Sequence, residues 1–114
     1  MIEGAKSRGH KVMYIVLYLH PGNYHRYHSP ALFMATYRRH IAGYCLRMRP
    51  EYLKRHKNNL KDNERVSLLG QWEHCFIGAM KEGAMVLLFD DDLVTNIKNP
   101  EFPYISDKSY SKLA

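Results

Sequence analysis

The chain has 114 residues, with 17 lysines and arginines against 11 acidic residues, a formal charge of +6 and a pI of about 9.4. At this length it is one domain at most, and 46% hydrophobic with 25% charged residues describes a globular chain, not a disordered one. The basic balance suits an anionic partner (nucleic acid, an anionic membrane surface or a phosphorylated ligand), and plain solubility accounts for it equally well. Cys45 and Cys75 form no CxxC pair, which argues against a structural zinc and a disulfide framework and for a reducing compartment.

In chain order, residues 1–10 are polar with two glycines and read as a flexible N-terminus without the apolar core of a secretory signal. Val12–Leu19, "VMYIVLYL", is β-branched, aromatic and apolar at every position, which predicts a strand buried on both faces. It is too short to span a bilayer, which takes about 20 residues as a helix. Pro21-Gly22-Asn23 ends it. Residues 31–46 are mixed, with "YRRH" expected at the surface and a break at Gly43. Pro50 is suited to open one short basic helix, "PEYLKRHKNNLK", with Tyr52, Leu53, His56 and Leu60 on one face. A polar turn and a strand from Arg65 to Leu69 follow, then strands in "WEHCFIGAM" and "AMVLLF". From Asp90 the chain is rich in turn residues, and 97–114 reads as an irregular tail of a truncated domain. The expected fold is β-rich α+β: an antiparallel sheet fragment with unpaired edges and one short basic helix.

The segment His20–Pro30, "HPGNYHRYHSP", holds three histidines, two tyrosines and an arginine between prolines. Histidine can hold or release a proton near neutral pH, and an adjacent arginine suits an anionic substrate. His25 and His28 are therefore candidate proton-transfer groups. A metal site would need a third ligand, from His20, His40 or His74, and a structural or surface cluster is the plainer reading. Asp90–Asp92, "DDD", reads as a solvated turn before a cation site.

Two blocks carry more information. "YLHPGNYHRYHSP" resembles the "YLxPxDYHRxHSP" signature of the phosphatidylserine decarboxylase family, and "NERVSLLGQWEHCF" resembles its "NERVxLxGxWxHGF". Gly83-Ala84 and "FDDDLVTN" are similar to its continuation, so the likeness runs from Lys11 to Asn96. The resemblance implies a proenzyme that cuts itself at a serine in a Leu-Gly-Ser-Thr motif, leaving a pyruvoyl group on a short α chain bound to a longer β chain. All of this sequence would belong to the β chain. The pyruvoyl carbonyl would form a Schiff base with phosphatidylserine and draw electrons as CO2 leaves, giving phosphatidylethanolamine. The same resemblance gives His28 the role of base in self-cleavage, partnered by an upstream aspartate. It places His25 near the substrate amine, and Tyr24, Arg26 and Tyr27 around the substrate's phosphate or carboxylate. It further implies peripheral contact with an anionic phospholipid membrane, at the mitochondrial inner membrane or an endomembrane if eukaryotic, and needs neither a metal nor a nucleic acid.

The sequence departs from the family pattern in four places. None of its seven glycines is followed by serine, so the 114 residues alone are expected to be inactive. Glu3 is the only acidic residue before His25, and Asn23 stands where the motif has aspartate. The family's "GATNVGSIxIxFD" is shortened to "GAMVLLFD", which removes part of a core strand. These departures support a second expectation, a non-catalytic remnant that binds anionic lipid or a full-length partner. A small basic nucleic-acid binder lacks any RNP-like or zinc signature.

Overall fold

The computed structural model describes residues 2–55, 58–80, 84–96 and 105–110. Its centre is a four-stranded antiparallel sheet made of β1 (Tyr37–Ile41), β2 (Arg65–Leu69), β3 (Glu73–Ile77) and β4 (Ile105–Ser109), in the order β3-β2-β1-β4. Three short helices accompany it: α1 (Ile2–Ser7), α2 (Pro50–Arg55) and α3 (Asn59–Asp62). The architecture is the β-rich α+β fold expected from the sequence.

Side chains alternate between faces along each strand, and the register aligns them in rows. On one face Phe76, Val66, His40 and Ser106 form one row, and His74, Leu68, Arg38 and Lys108 form the next. Val66 and Leu68 are buried, with Ala42 beyond the end of β1. Each of the two larger side chains contributes about 1.5–3 kcal/mol. That apolar centre is small, and buried polar groups extend it: Arg38, His40, Asn63, Glu64 and Asp90 are each at most 3% exposed.

The "NER" block supplies two of these groups. Asn63 Oδ1 accepts from Leu46 N at 3.0 Å, and its Nδ2 donates to Leu46 O at 2.9 Å and to Gly78 O at 2.7 Å. One amide thus ties the segment after β1 to the end of β3. Glu64 accepts from His40 Nε2 at 2.7 Å and from Asn96 N at 3.0 Å. Gly43 must be glycine here, because a Cβ would run into the Asp62 carbonyl and come within 2.9 Å of Glu64 N.

Several expectations are corrected. Val12–Leu19 forms no regular secondary structure and joins no ladder among the described residues, and its side chains lie open, with Tyr14 89% and Leu17 74% exposed. An apolar run becomes a buried strand only where another strand and a covering layer exist for it, and this sheet fills its four places elsewhere. "YRRH" is not a surface stretch: it forms most of β1, with Arg38 and His40 turned inward and Arg39 outward. "AMVLLF" forms no strand. Residues 84–86 have no regular structure and a bridge pairs Leu87 with Asp90, while Thr95 pins Met85 by hydrogen bonds of 2.7 and 3.2 Å. The stretch expected to be an irregular tail contains β4, and the stretch expected to be loose contains α1. The basic helix is two pieces, α2 and α3, with His56 outside the described residues and the Leu60 side chain not described.

Candidate functional site

The loop 20–30 follows the apolar segment through Pro21 and Gly22, where Asn23 N donates to His20 O at 2.8 Å. All its side chains are exposed. Tyr24 and His28 meet although four residues apart: their rings stack with centroids 5.8 Å apart, and Tyr24 Oη and His28 Nε2 share a hydrogen bond of 2.6 Å. His25 Nδ1 lies 2.6 Å from Asn23 O. A carbonyl only accepts, so Nδ1 carries the proton and Nε2 is the basic nitrogen of neutral His25. Arg26 is exposed between these pairs.

Tyr27 points the other way and attaches the loop to the sheet. Its hydroxyl and His74 Nδ1 on β3 are 2.6 Å apart, and its ring packs edge-on to Phe76 at 5.1 Å. His74 is surrounded by Phe33 at 4.6 Å, Trp72 at 5.5 Å and Phe76 at 6.3 Å between centroids. Burial among these rings pushes the His74 pKa below its usual value and raises that of Tyr27. Trp72 Nε1 hydrogen-bonds His74 Nε2. An indole N–H only donates, so His74 Nε2 accepts, Nδ1 holds the proton and donates it to Tyr27 Oη. The Tyr27 hydroxyl hydrogen is therefore not used on His74 and can be offered to an anion.

At the other end of the same row, Asp90 collects three side-chain donors besides the backbone N–H of Asp92 at 3.2 Å. Arg38 Nη1 donates to Oδ2 at 2.6 Å, Lys108 Nζ to Oδ1 at 2.9 Å, and the Tyr110 hydroxyl also donates to Oδ2. Lys108 bonds Asp92 Oδ2 at 2.6 Å as well. Burial alone would raise the Asp90 pKa, but the bonds from Tyr110 and Lys108 and the charge of Arg38 outweigh it and hold it low. "DDD" is therefore not a solvated turn throughout, since its first carboxylate is a buried counter-ion. Among the described residues no three His, Cys, Asp or Glu side chains are grouped to hold a metal.

Of the sequence-derived candidates, the fold brings Tyr24 to His28 and sends Tyr27 to β3, while His25 turns onto its own loop. The sequence offered His74 only as a spare metal ligand and gave Asp90 no partner. A "WxH" two-residue spacing on a strand, which sets both side chains on one face, was the available signal for Trp72 and His74.

The arrangement is a loop of exposed imidazoles, phenols and a guanidinium, anchored to an aromatic row: groups able to move a proton beside an anion. Residues 2–99 match the family model for phosphatidylserine decarboxylase. The chain is 43% identical over 93 residues to phosphatidylserine decarboxylase proenzyme 2, mitochondrial, of Schizosaccharomyces pombe, covering 77% of this chain and 18% of that protein. It is 39% identical over 94 residues to the mitochondrial proenzyme 1 of Candida albicans, covering 78% of this chain and 16% of that one. It is 36% identical over 111 residues to the mitochondrial proenzyme of Cricetulus griseus, covering 93% and 26%. No solved structure matches. The chain belongs to the phosphatidylserine decarboxylase family and spans 16–26% of the length of these relatives. No helix among the described residues is long and apolar enough to cross a membrane.

Proposed function

We propose that the chain supplies one part of a phosphatidylserine decarboxylase site, within the longer β chain of the self-cleaving proenzyme, and that the reaction converts phosphatidylserine to phosphatidylethanolamine and CO2. The observation that carries this is the family match over residues 2–99, together with a loop whose histidines are exposed and hydrogen-bonded. That the relatives are mitochondrial proenzymes supports a mitochondrial membrane as its site of action.

The donor set fits a pyruvoyl prosthetic group: a histidine paired to a phenol, a second histidine with a defined basic nitrogen, and an arginine between them. When present, that group supplies the electron-withdrawing carbonyl that loss of CO2 requires. With no Gly-Ser step among the 114 residues, the group is contributed by another segment of the proenzyme. His28, oriented by Tyr24, takes the proton from that segment's serine hydroxyl during chain cleavage. His25 holds or returns a proton through Nε2 near the substrate. Arg26 meets the phosphate or carboxylate as a planar fork, and Tyr27 donates its hydroxyl hydrogen there. Tyr24 keeps His28 in place.

The 114 residues alone release no CO2 from phosphatidylserine vesicles; measurable release would overturn the division of the site between segments. In the full-length parent, His28→Ala leaves the proenzyme uncut on a gel, and normal α and β bands would remove His28 from that role. A second reading, a non-catalytic partner of a full-length copy, is favoured by the open apolar segment Val12–Leu19. Co-expression with an intact family member and pull-down separates the two.

A further inference from the structure

The positive charge of this chain is concentrated. Between residues 47 and 57 stand Arg47, Arg49, Lys54, Arg55 and Lys57 against Glu51 alone, which is +4 of the formal +6 in under a tenth of the sequence. The same segment encloses a cavity of about 240 Å³, lined by Arg47, Arg49, Glu51, Tyr52 and Arg55 at the start and along the length of α2. The three guanidinium groups are exposed and Tyr52 is half-buried. None of these residues belongs to the histidine loop or to the aromatic row on β3.

Three guanidinium groups and a single carboxylate line one hollow, and a lining of that composition favours an anion. Guanidinium forks match the oxygens of a phosphate group, and charge-assisted bonds of this kind are the strong ones. The space is several times a water molecule's share of the liquid, about 30 Å³, which gives room for a phosphate with its ester linkage. Tyr52 adds a side chain with an apolar body and a polar tip, a type enriched where lipid meets water.

We infer that the cleft of Arg47, Arg49, Tyr52 and Arg55 is a phosphate-binding site that seats the chain on an anionic lipid surface, apart from the site that handles the reacting headgroup. A lipid surface suits it better than a lone phosphate ion because the exposed Lys54 on α2 extends the charge beyond the lining, and a basic surface wider than one phosphate gains from several headgroups at once. The choice of lipid rests on the family reading above; the cleft and its charge do not.

The test is co-sedimentation of the 114-residue chain with phosphatidylcholine vesicles, with and without phosphatidylserine or phosphatidylglycerol. Binding is expected to both anionic mixtures and not to phosphatidylcholine alone. Each basic side chain near an anionic surface contributes roughly a five-fold factor, so Arg47→Gln/Arg49→Gln should lower the partition coefficient roughly 20- to 30-fold. Arg55→Gln, a milder change on α2, should lower it about five-fold. Lys6→Gln/Arg8→Gln removes the same charge from the exposed N-terminal segment and should change it less than about two-fold. An amide fingerprint spectrum confirms that each variant keeps the fold. Equal losses in the two double variants would show a net-charge effect and overturn the site. Undiminished binding to neutral vesicles would overturn it too, as would inorganic phosphate saturating the cleft of a chain that ignores anionic vesicles. Binding that requires phosphatidylserine and is lost in His28→Ala would assign the lipid to the histidine loop instead. If vesicles bind as expected while the full-length parent proves inactive, the decarboxylase reading fails and this one stands.

Discussion

Trp72 Nε1 can only donate, so its bond to His74 lasts only while His74 Nε2 is unprotonated. Burial among the aromatic rings also makes His74 titrate below the usual 6.5, and Trp72→Ala, which opens that surround to water, should bring it back up; imidazole chemical shifts followed through pH measure both. A group whose folded pKa is depressed binds fewer protons folded than unfolded in that interval, so stability falls as pH falls. The His74 contribution is complete above 6.5 and is lost toward the lower folded value. A urea midpoint at about pH 5 should accordingly sit below that at pH 7 in the native chain, with the His74 share of the difference absent in His74→Phe. Asp90 obeys the same sign at lower pH: its contribution is present above 3.8 and lost as acid protonates it. Arg38 is the buried partner, at 3% exposure against 0% for Asp90, and its Nε has no hydrogen-bond acceptor. Arg38→Met should cost roughly 3 kcal/mol by leaving a buried carboxylate short of a counter-charge. Arg39→Gln, which removes an exposed pair with Asp107, should leave the midpoint nearly unchanged.

At the scale of elements, β2 was legible because Val66 and Leu68 alternate with less buried neighbours between a polar turn and a glycine. β3 was legible too, from "WEHCFI". β1 was not, because its inward positions carry Arg38 and His40, residues that are buried only when paired. Their partners, Asp90 and Glu64, lie 52 and 24 residues away, beyond any local pattern. β4, "ISDKS", has no apolar alternation at all and holds its edge position through ladder bonds to β1 and the reach of Lys108 to Asp90. Val12–Leu19 failed in the opposite sense: its composition suits a strand, but composition cannot say whether a neighbour is there. The loop histidines were legible as a motif, whereas the Tyr27–His74 attachment required the fold, since it joins residues 47 apart. Between β2 and β3, Gly70 sits under the aromatic row, where a Cβ would run into the Met34 carbonyl and come within 2.8 Å of the Phe33 ring. Gly70→Ala should therefore lower stability by about 1–3 kcal/mol and loosen Phe33 from Trp72, measurable as a lower melting temperature and altered near-ultraviolet circular dichroism. Asn63→Leu removes three hydrogen bonds and leaves Leu46 and Gly78 polar groups unpaired, a loss of several kcal/mol by the usual cost of about 1–3 for each buried orphan.

At the scale of the whole molecule, apolar surface is left open on several segments of the described residues. Besides Val12–Leu19, Val86 is 80% and Leu88 96% exposed. Contiguous open apolar segments mark places where other protein or lipid is expected to lie, which agrees with a chain spanning 16–26% of its relatives. The isolated chain should self-associate with rising concentration. Val16→Lys/Leu17→Lys should reduce that association without changing the melting temperature, since neither side chain is buried; sedimentation velocity reads the first and calorimetry the second.

Trp72 is the only tryptophan of the chain, and it stands against His74 and Phe33 directly beneath the point where Tyr27 fastens the histidine loop. The protein therefore carries its own optical probe of that loop. A protonated imidazole quenches a neighbouring indole, and a loop that lifts away lets water reach it. Tryptophan emission should dim as His74 takes up its proton and shift to the red when Tyr27→Phe releases the loop. The state of the loop could then be followed by light alone, with no label, as lipid vesicles or a protein partner are added.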